Sequence, residues 1–377
     1  MEDYSIERAK VKSAAHLKCD NCGSPNMTWS AEKQVMLCDA CGHAIAVETA
    51  SDMVIEQSFS EGVAISQSAA KGLGAEKKSF TCNNCGAVTV IDPTETDLTC
   101  DFCTSTNVNV EAFSNQTIQP AGILPFKITK KGAAEAFAGW IGRGWFHPSG
   151  LKKYAEVDKM HGLYIPFWTY DADSASSWTA EAGYYYYETE TYRDSQGNQQ
   201  TRQVQKVRWV PASGYYQHWF DDVLVAGSQG IKQRMVEGIY TFPLQEVVNY
   251  EPNFLLGWKS EVYGLDVQEG YQVAEDIMDG HIRQEIIKTI PGDTHRNLHV
   301  NTRYSNITFK HLLLPVWVCA YLYNKKTYQV LINGQTGKIS GQKPISWIKV
   351  TLAVLVVAAI GFAIWYFTKG AQGAGPQ

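Results

Sequence analysis

The chain has 377 residues, of which 45% are hydrophobic, 12% aromatic and 19% charged. This composition is typical of a globular protein with room for two or three domains, and it excludes an extended disordered chain. The formal net charge is −5, and the first 110 residues carry 8 Lys and Arg against 15 Asp and Glu. Because nucleic-acid binding needs clustered positive charge, this acidity argues against a nucleic-acid-binding N-terminal region.

The N-terminal third contains eight of the nine cysteines, arranged as four C-x-x-C pairs. Two such pairs, separated by a short hairpin, supply the four thiolates of a tetrahedral zinc site. The sequence therefore predicts two zinc ribbons, at residues 17–47 and 79–110, each with one structural Zn²⁺. The predicted ligands are Cys19, Cys22, Cys38 and Cys41 in the first ribbon, and Cys82, Cys85, Cys100 and Cys103 in the second.

Glycine follows the second cysteine of three pairs, at Gly23, Gly42 and Gly86, where the knuckle favours positive φ. Thr104 stands at that position in the fourth pair, so a weaker second site is expected. Disulfides are the main alternative, and a reducing cytoplasm and the paired spacing argue against them. A redox dithiol is a weaker alternative, because such motifs come singly in a βαβ context. Four cysteines leave no ligand position open for water, which favours structural over catalytic metal.

Residues 48–78, between the ribbons, are rich in Ser, Ala and Gly and are predicted to be a polar linker. Ile55, Phe59 and Val63 recur at four-residue spacing, so a short amphipathic helix is the alternative.

Residues 117–342 are predicted to form an α+β domain with a mainly antiparallel sheet. A strand at 124–128, a helix at 130–141 and a strand at 163–170 are followed later by a strand at 254–262, a helix from Asp266 and a strand at 313–318. Both closing strands contain Pro-x-Trp, which suggests an internal duplication. Tyr184–Tyr187 lie in a predicted hairpin, and a sheet with aromatic faces is favoured over a carbohydrate- or base-stacking platform.

No catalytic motif emerges: the chain lacks G-x-x-x-x-G-K-[ST], H-E-x-x-H and G-x-S-x-G. His295 and His299 are interpreted as surface residues in a loop, and Cys319 as a small core residue on an apolar strand. An enzyme is therefore not expected, although a ligand-binding pocket within residues 117–342 stays open.

The C-terminal region contains eighteen consecutive residues without a charge, Val350–Phe367, enough for roughly 27 Å of helix. With Trp347 and Lys349 before it and Trp365 and Lys369 after it, a transmembrane helix is predicted at 347–367, followed by a short tail at 368–377. The first residues show no apolar signal segment. The expected arrangement is a single C-terminal anchor in the cytoplasmic membrane, with the preceding domains facing the cytoplasm. A buried core helix is the alternative.

Taken together, these segments resemble a bacterial family of membrane-anchored double zinc-ribbon proteins, the YdjG-like proteins, often labelled as TFIIB-type zinc ribbons or as primosomal replication-factor-Y-like proteins. The resemblance is carried, in order, by HLKCDNCGSPN, LCDACGH, FTCNNCGAVTV, LTCDFCTS, ILPFKI, GLYIPFWTYDAD, FDDVLVAGS, YEPNFLLGWKSEVYGLDVQEGY and LLPVWVCAYLYNKKTYQVLINGQTGKISGQKPIS. It implies a non-enzymatic membrane adaptor, since relatives are often encoded beside SPFH-domain scaffolds and phage-shock-type envelope-stress proteins.

Three hypotheses for function follow. The favoured one is an adaptor that recruits or scaffolds a protein partner, with a basic face, at the membrane through the acidic ribbons. The second is a membrane-held nucleic-acid-binding protein associated with transcription or replication, which would need a basic ribbon face. The third is an enzyme within residues 117–342, which would need convergent polar groups in a pocket.

Overall fold

The structure is a computed structural model that describes residues 18–47, 54–68, 78–91, 99–103, 105–106, 108–112, 118–151, 160–324 and 326–372. The strands in these ranges are β1 (Met27–Ser30), β2 (Val35–Cys38), β3 (Ala44–Ile45), β4 (Gln57–Ser58), β5 (Lys78–Cys82), β6 (Val88–Ile91), β7 (Val108–Ala112), β8 (Gly122–Ile123), β9 (Met160–Arg193), β10 (Gln199–Ala226), β11 (Val248–Asn249), β12 (Lys259–Val262), β13 (Thr294–Tyr323), β14 (Lys326–Asn333) and β15 (Ile339–Gly341). The α-helices are α1 (Phe59–Ser68), α2 (Lys130–Ile141), α3 (Gln233–Glu237), α4 (Val267–Thr289) and α5 (Trp347–Gln372), and short 3₁₀ turns span Leu244–Glu246 and Pro252–Leu255.

The described strands form two sheets, one small and one large. The small sheet has the order β1-β2-β3 and is antiparallel. The large sheet has a main path β11-β8-β13-β9-β12-β6-β5-β7, with β10 added to β9, β4 and β14 added to β13, and β15 added to β14. The predicted sheet-rich body and apolar C-terminal helix are both present.

The large sheet is mixed, so the prediction of a mainly antiparallel sheet is only partly right. β8 runs parallel to β13, and β12 runs parallel to β9. The reason is that β13 inserts between β8 and β9. β8 lies on the other side of β13 from β9 and runs in the direction opposite to β9. Since β13 is also antiparallel to β9, β8 and β13 run parallel to each other. Sequence patterns do not show this insertion, because the strands involved are far apart along the chain.

The central strands β9, β10 and β13 are 34, 28 and 30 residues long. Their pairing shifts register at three places, and a polar residue with positive φ lies at each shift: Asp222 (51°), Asn297 (53°) and Asn306 (52°). Asp and Asn tolerate this conformation better than other residues with a Cβ. These bulges bend and twist the long strands.

Two strand–helix–strand units make the same hydrogen bonds around a proline on their closing strand. The carbonyl of Pro166 in β9 accepts from the amide of Gly227 at 2.8 Å, and the carbonyl of Pro315 in β13 accepts from the amide of Gly334 at 2.9 Å. In each case the donor glycine directly follows the strand that pairs next, β10 or β14.

The tryptophans two residues after these prolines also make equivalent hydrogen bonds. The indole Nε1 of Trp168 donates to the carbonyl of Leu265 at 3.0 Å, and that of Trp317 donates to the carbonyl of Ile128 at 2.9 Å. Each acceptor immediately precedes the N-cap of a helix, α4 or α2. The predicted Pro-x-Trp similarity therefore corresponds to matching positions in the sheet, and each unit's helix start is bonded to the other unit's closing strand.

Helix α4 is the main helix packed on the large sheet. It begins at the predicted capping box, in which the Asp266 carboxylate accepts from the amide of Glu269 and the Glu269 carboxylate accepts from the amide of Asp266. Its buried face is spaced at helical intervals, as an amphipathic helix requires. The buried side chains with this spacing are Val267, Ala274, Met278, Ile282 and Ile286.

Residues 54–68, which the structure describes within the predicted linker 48–78, are not simply a polar linker, and this corrects the favoured prediction for them. β4 pairs with β13, and α1 follows directly. The Phe59 ring lies 4.7 Å from that of Tyr271 and 6.4 Å from that of Tyr170. Ala and Ser are compatible with a short helix when a few apolar side chains have a surface to cover, and α4 and β13 provide that surface.

The buried His311 should make stability depend on pH. It is completely enclosed, its Nδ1 donates to the carbonyl of Ile118 at 2.8 Å, and burial lowers its pKa to about 4. A histidine with a folded-state pKa below the unfolded value of ~6.5 stabilises the fold above that value, and this contribution is lost as pH falls towards the folded pKa. We expect a loss of about 2 kcal/mol between pH 7 and pH 5, measured by urea unfolding.

A His311→Phe variant is the control, because an aromatic ring of similar size can still pack on Trp168. Burial raises the pKa of Asp171 to about 6, so this carboxyl favours the folded state as pH falls, opposite to His311. Its contribution to the free energy of unfolding is present in both the wild type and the variant and cancels when the two are compared. Equal pH dependence in the wild type and the variant would contradict this role for His311.

Candidate metal centres

The four cysteines of the first ribbon converge on one point. Sγ of Cys19 lies 3.6 Å from Sγ of Cys41, and Sγ of Cys22 lies 3.6 Å from Sγ of Cys38. A tetrahedral site with metal–sulfur bonds of ~2.3 Å has sulfur–sulfur edges of ~3.8 Å, whereas a disulfide bond is ~2.05 Å long. The spacing therefore matches thiolates around one metal ion and not a disulfide.

The second ribbon has the same arrangement. Sγ of Cys82 lies 3.5 Å from Sγ of Cys103, and Sγ of Cys85 lies 3.6 Å from Sγ of Cys100. In each group, the four Sγ atoms all lie within 4.8 Å of one another. Each group could hold a metal ion with four protein ligands, and the predicted pairing of eight cysteines into two clusters is confirmed.

All four knuckles close with the same backbone hydrogen bond, from the amide of the first cysteine to the carbonyl five residues later. The pairs are Cys19 to Ser24 (2.8 Å), Cys38 to His43 (2.9 Å), Cys82 to Ala87 (2.9 Å) and Cys100 to Ser105 (2.9 Å). Gly23, Gly42 and Gly86 have φ of 72°, 72° and 79°, as their position predicts. Thr104 lies outside the described residues, but the bond from Cys100 to Ser105 spans it.

Local hydrogen bonds favour thiolate at several of these cysteines. The backbone amide of His43, followed by the side-chain amide of Asn21, lowers the pKa of Cys41 to about 6. In the second cluster a hydrogen bond from the thiol of Cys85 lowers the pKa of Cys100 to about 5, and the same bond raises the pKa of Cys85. Metal ions bind cysteine as the thiolate, so a bound metal ion would displace the protons that hydrogen-bond one cysteine sulfur to another.

The first ribbon packs on the body through a tryptophan. The indole of Trp29 donates to the carbonyl of Phe126 at 3.4 Å, and the indole of Trp258 donates to the carbonyl of Trp29 at 3.1 Å. Cys19 and Cys38 belong to the core shared with the body, whereas Cys22 and Cys41 are exposed. One side of the first metal site therefore faces solvent.

The second ribbon is built into the large sheet. Its strand β6 pairs with β12 of the body, and β5 lies between β6 and β7. Phe102, inside the last knuckle, is fully buried, and its carbonyl accepts from the side-chain amide of Gln329. The neighbouring Asp101 is paired with Lys259 and His161, each at 3.4 Å. The described parts of residues 79–110, predicted as a ribbon beside the 117–342 domain, thus share a sheet and a core with that domain.

Gly230 marks the contact between the second ribbon and the body. A Cβ at this position would lie 2.7 Å from the Cβ of Ala87 and 3.2 Å from the Phe102 ring. We expect Gly230→Ala to destabilise the protein by about 1–3 kcal/mol, because the neighbours are buried and cannot move aside.

The matched control is Gly280→Ala on the exposed side of α4, where a Cβ would meet nothing within 4 Å. That substitution should stabilise the helix by up to about 1 kcal/mol. Urea unfolding compares the two variants, and equal effects of the same sign would contradict a close docking contact at Gly230.

An acidic cluster in the body was missed from the sequence. Carboxylate oxygens of Asp171, Asp221 and Asp222 lie within 4.8 Å of one another. The ammonium of Lys310 lies 2.8 Å from Asp222 and 3.2 Å from Glu56. The cluster surrounds the β10 bulge, and Lys310 balances part of its charge, so its local role is to hold the bulge and β4 in place. The adjacent acidic pair in FDDVLVAGS was the available signal, but Asp171 lies fifty residues away.

The other singled-out residues lie apart from both clusters. His295 and His299 flank the bulge near the start of β13 rather than occupying a loop, and His299 is exposed. Cys319 is buried in the core that also contains the first ribbon.

Helix α5 contains the one stretch among the described residues that is long and apolar enough to cross a membrane. Trp347–Trp365 has a mean hydropathy of 2.3, and none of it is buried inside the structure. A soluble core helix would be mostly buried, so this exposure argues against the buried-helix alternative.

Comparison with known proteins gives one relative of similar length. The chain is similar to a protein of Bacillus subtilis (strain 168) described as "Uncharacterized protein YdjG". The two are 27% identical over 335 residues, which cover 87% of this chain and 90% of that protein. No family model matches the chain, and no solved structure matches it. The similarity therefore extends over most of both chains, and the description of the relative supplies no activity.

Proposed function

We propose that this protein is a non-enzymatic, membrane-anchored zinc-ribbon adaptor, which recruits or scaffolds protein partners at the cytoplasmic face of the membrane. Its partners would be of the SPFH-scaffold or envelope-stress type that the family resemblance implies. The proposal has three parts, which are the metal, the anchor and the partner surface, and each has its own support.

The metal is proposed to be Zn²⁺, bound structurally at both clusters. Four thiolates at tetrahedral spacing are the ligand set typical of structural zinc, and they leave no coordination position for a substrate. The anchor is proposed to be α5, which is apolar and unburied along Trp347–Trp365 and has tryptophan at both ends.

The observation that carries the adaptor role is a hairpin that extends past the body. Pairing of β13 with β9 ends at Gly183, whereas β9 and β10 stay paired up to Arg193 and Gln199. The arm that remains, residues 184–193 and 199–208, is ten residue pairs long, roughly 33 Å. It exposes four tyrosine side chains: Tyr185, Tyr186, Tyr187 and Tyr192.

An exposed two-stranded arm rich in tyrosine is suited to protein contact. Tyrosine is enriched at protein interfaces, where it offers a large apolar surface and a polar hydroxyl. In the described residues β10 pairs only with β9, so its outer edge can accept a strand from a partner. The tyrosines lie on a sheet, as the sequence predicts. Because their side chains are exposed, they are available for contact with a partner.

A pull-down of the full chain from detergent-solubilised membranes, followed by mass spectrometry, tests the adaptor role. We expect an SPFH-type scaffold or envelope-stress protein to be recovered with the wild type and lost with Tyr185→Ser/Tyr187→Ser. Tyr215→Ser, an equally exposed tyrosine of β10 outside the arm, is the control and should retain the partner. A charge variant of the first ribbon, Asp20→Lys/Glu32→Lys, tests whether the acidic ribbon contributes.

Recovery of RNA polymerase or nucleic acid instead would contradict the proposal and favour the nucleic-acid hypothesis. Recovery of the same partner with both the arm variant and the ribbon variant would show that neither surface is the docking site.

We also infer that the two strand–helix–strand units arose by internal duplication. The support is the repeated proline, glycine and tryptophan hydrogen bonding around Pro166 and Pro315. It also includes the pairing of Ile165 with Leu314, which places matching positions across a local two-fold axis. An experimental structure in which the Trp317 indole does not reach Ile128 would remove this support.

A further inference from the structure

The loop 142–150, which follows α2, is fixed against the first turn of α5. The amide of Ser346 donates to the carbonyl of Phe146 at 2.7 Å, and Nδ1 of His147 donates to the carbonyl of Pro344 at 2.9 Å. The ammonium of Lys349 donates to the carbonyl of His147 at 2.9 Å. Because of these bonds, the loop must lie at whatever depth the beginning of α5 occupies.

This junction exposes large apolar side chains. Trp145 is 83% exposed and Phe146 48%, and on the adjoining start of α5 Trp347 is 74% exposed and Ile348 78%. Adjoining exposed apolar side chains of this kind mark an interaction surface. Tryptophan beside the end of a membrane span favours headgroup depth, where its apolar ring and its N–H are both accommodated.

The same junction is basic within an acidic protein. Residues 142–151 and 343–349 contain three basic residues, Arg143, Lys343 and Lys349, and no acidic residue, whereas the whole chain has a net charge of −5. Such a cluster next to a span is attracted by the negative surface potential of an anionic leaflet.

The loop also borders a cavity. Lys349 and the loop glycines line a space of about 280 Å³, enough for a phosphodiester headgroup. Gly144 has a φ of 108°, and a Cβ there would lie 2.5 Å from the His147 ring. Only glycine permits this close approach, so the shape of the cavity wall depends on it.

We propose that the loop 142–150 and residues 343–349 form a second membrane contact that recognises anionic phospholipid, with Trp145 and Phe146 at headgroup depth. The inference rests on the proposed anchoring by α5 and adds a lipid class and a fixed orientation of the body. A single helix allows the body to rotate and tilt, whereas two contacts would hold the ribbons and the hairpin arm at a defined angle to the membrane.

Hydrogen–deuterium exchange of the full chain tests this proposal in three environments: detergent, zwitterionic nanodiscs and nanodiscs containing phosphatidylglycerol. We expect amides of 142–150 to exchange at least about fivefold more slowly in the anionic nanodiscs than in the zwitterionic ones. This factor corresponds to the attraction of one Lys or Arg to an anionic surface. Arg143→Glu and Trp145→Glu should each remove this protection, and Tyr215→Glu, an exposed aromatic on another element, should leave it unchanged.

The outcomes separate the inference from the anchoring proposal. Equal exchange of 142–150 in all three environments, with 347–365 protected in both kinds of nanodisc, would overturn the second contact alone. Failure of 347–365 to become protected in any nanodisc would overturn both. Protection of 142–150 in detergent on addition of glycerophosphate would show a site for soluble anions and would overturn the lipid-surface assignment.

Discussion

Replacing Cys100 with serine is expected to lower the bound zinc from two ions to one per chain and to unfold much of the body along with the second ribbon. Cys100 is completely buried in a core that also contains Phe102, Leu163 and Leu314. Structural zinc contributes on the order of 10 kcal/mol to folding, about as much as the whole net stability of a typical domain. Loss of that site should therefore reach the sheet that the ribbon shares.

The matched comparison is Cys38→Ser in the first ribbon, whose three-stranded sheet is separate from the large one. This variant should also lose one zinc ion. Because the first ribbon shares a core with the body but no strand pairing with the large sheet, the body should be destabilised less than by Cys100→Ser, and membrane association should persist. Zinc content by elemental analysis, urea unfolding and sedimentation with membranes measure the three effects. If Cys100→Ser kept two zinc ions and wild-type stability, the second Cys₄ site would not be a metal centre.

Truncation of the chain after Ser346 is expected to move the protein from the membrane pellet to the supernatant. The deletion removes α5, none of whose residues along Trp347–Trp365 is buried inside the structure. It retains Lys343, whose ammonium donates to the carbonyls of Trp140 and Arg143, so the end of α2 stays capped. Insertion of such a helix is effectively irreversible, so loss of the anchor should change the distribution almost completely.

Ultracentrifugation of cell lysates at high salt makes this measurement, because salt screens the peripheral attraction of the basic junction to lipid. Circular dichroism of the truncated protein checks that it is folded. A folded truncated chain that still sediments with membranes at high salt would contradict a single anchor.

The hairpin arm and the basic junction together define how the adaptor would work. The anchor and the loop 142–150 would fix the body at the membrane, and the two ribbons stiffen it through cores they share with the large sheet. The tyrosine-rich arm at 184–208 would then be held in a constant position for a partner. In this proposed arrangement zinc would support the surface that binds the partner, and the metal sites themselves would not need to touch the partner.

The local features of this protein could be predicted from its sequence. The cysteine spacing predicts both Cys₄ clusters because a metal knuckle is encoded within a few residues. The capping box at Asp266 and Glu269 marks the start of α4 for the same reason, and the run of uncharged residues after Val350 identifies an apolar helix. Each of these signals depends on neighbours in the chain and needs no knowledge of the tertiary fold.

The tertiary structure alone decides how these local units combine. The insertion of β13 between β8 and β9, the joining of β6 to β12 and the packing of α1 on α4 all depend on contacts between distant segments. Strand pairing gains its free energy from side chains that meet only after the chain has closed long loops. Hydrophobic periodicity identifies which face of a strand is buried but not which strand lies beside it. The sequence by itself therefore determines the metal knuckles, the helix start and the apolar tail, and long-range packing determines that the ribbons share cores with the body.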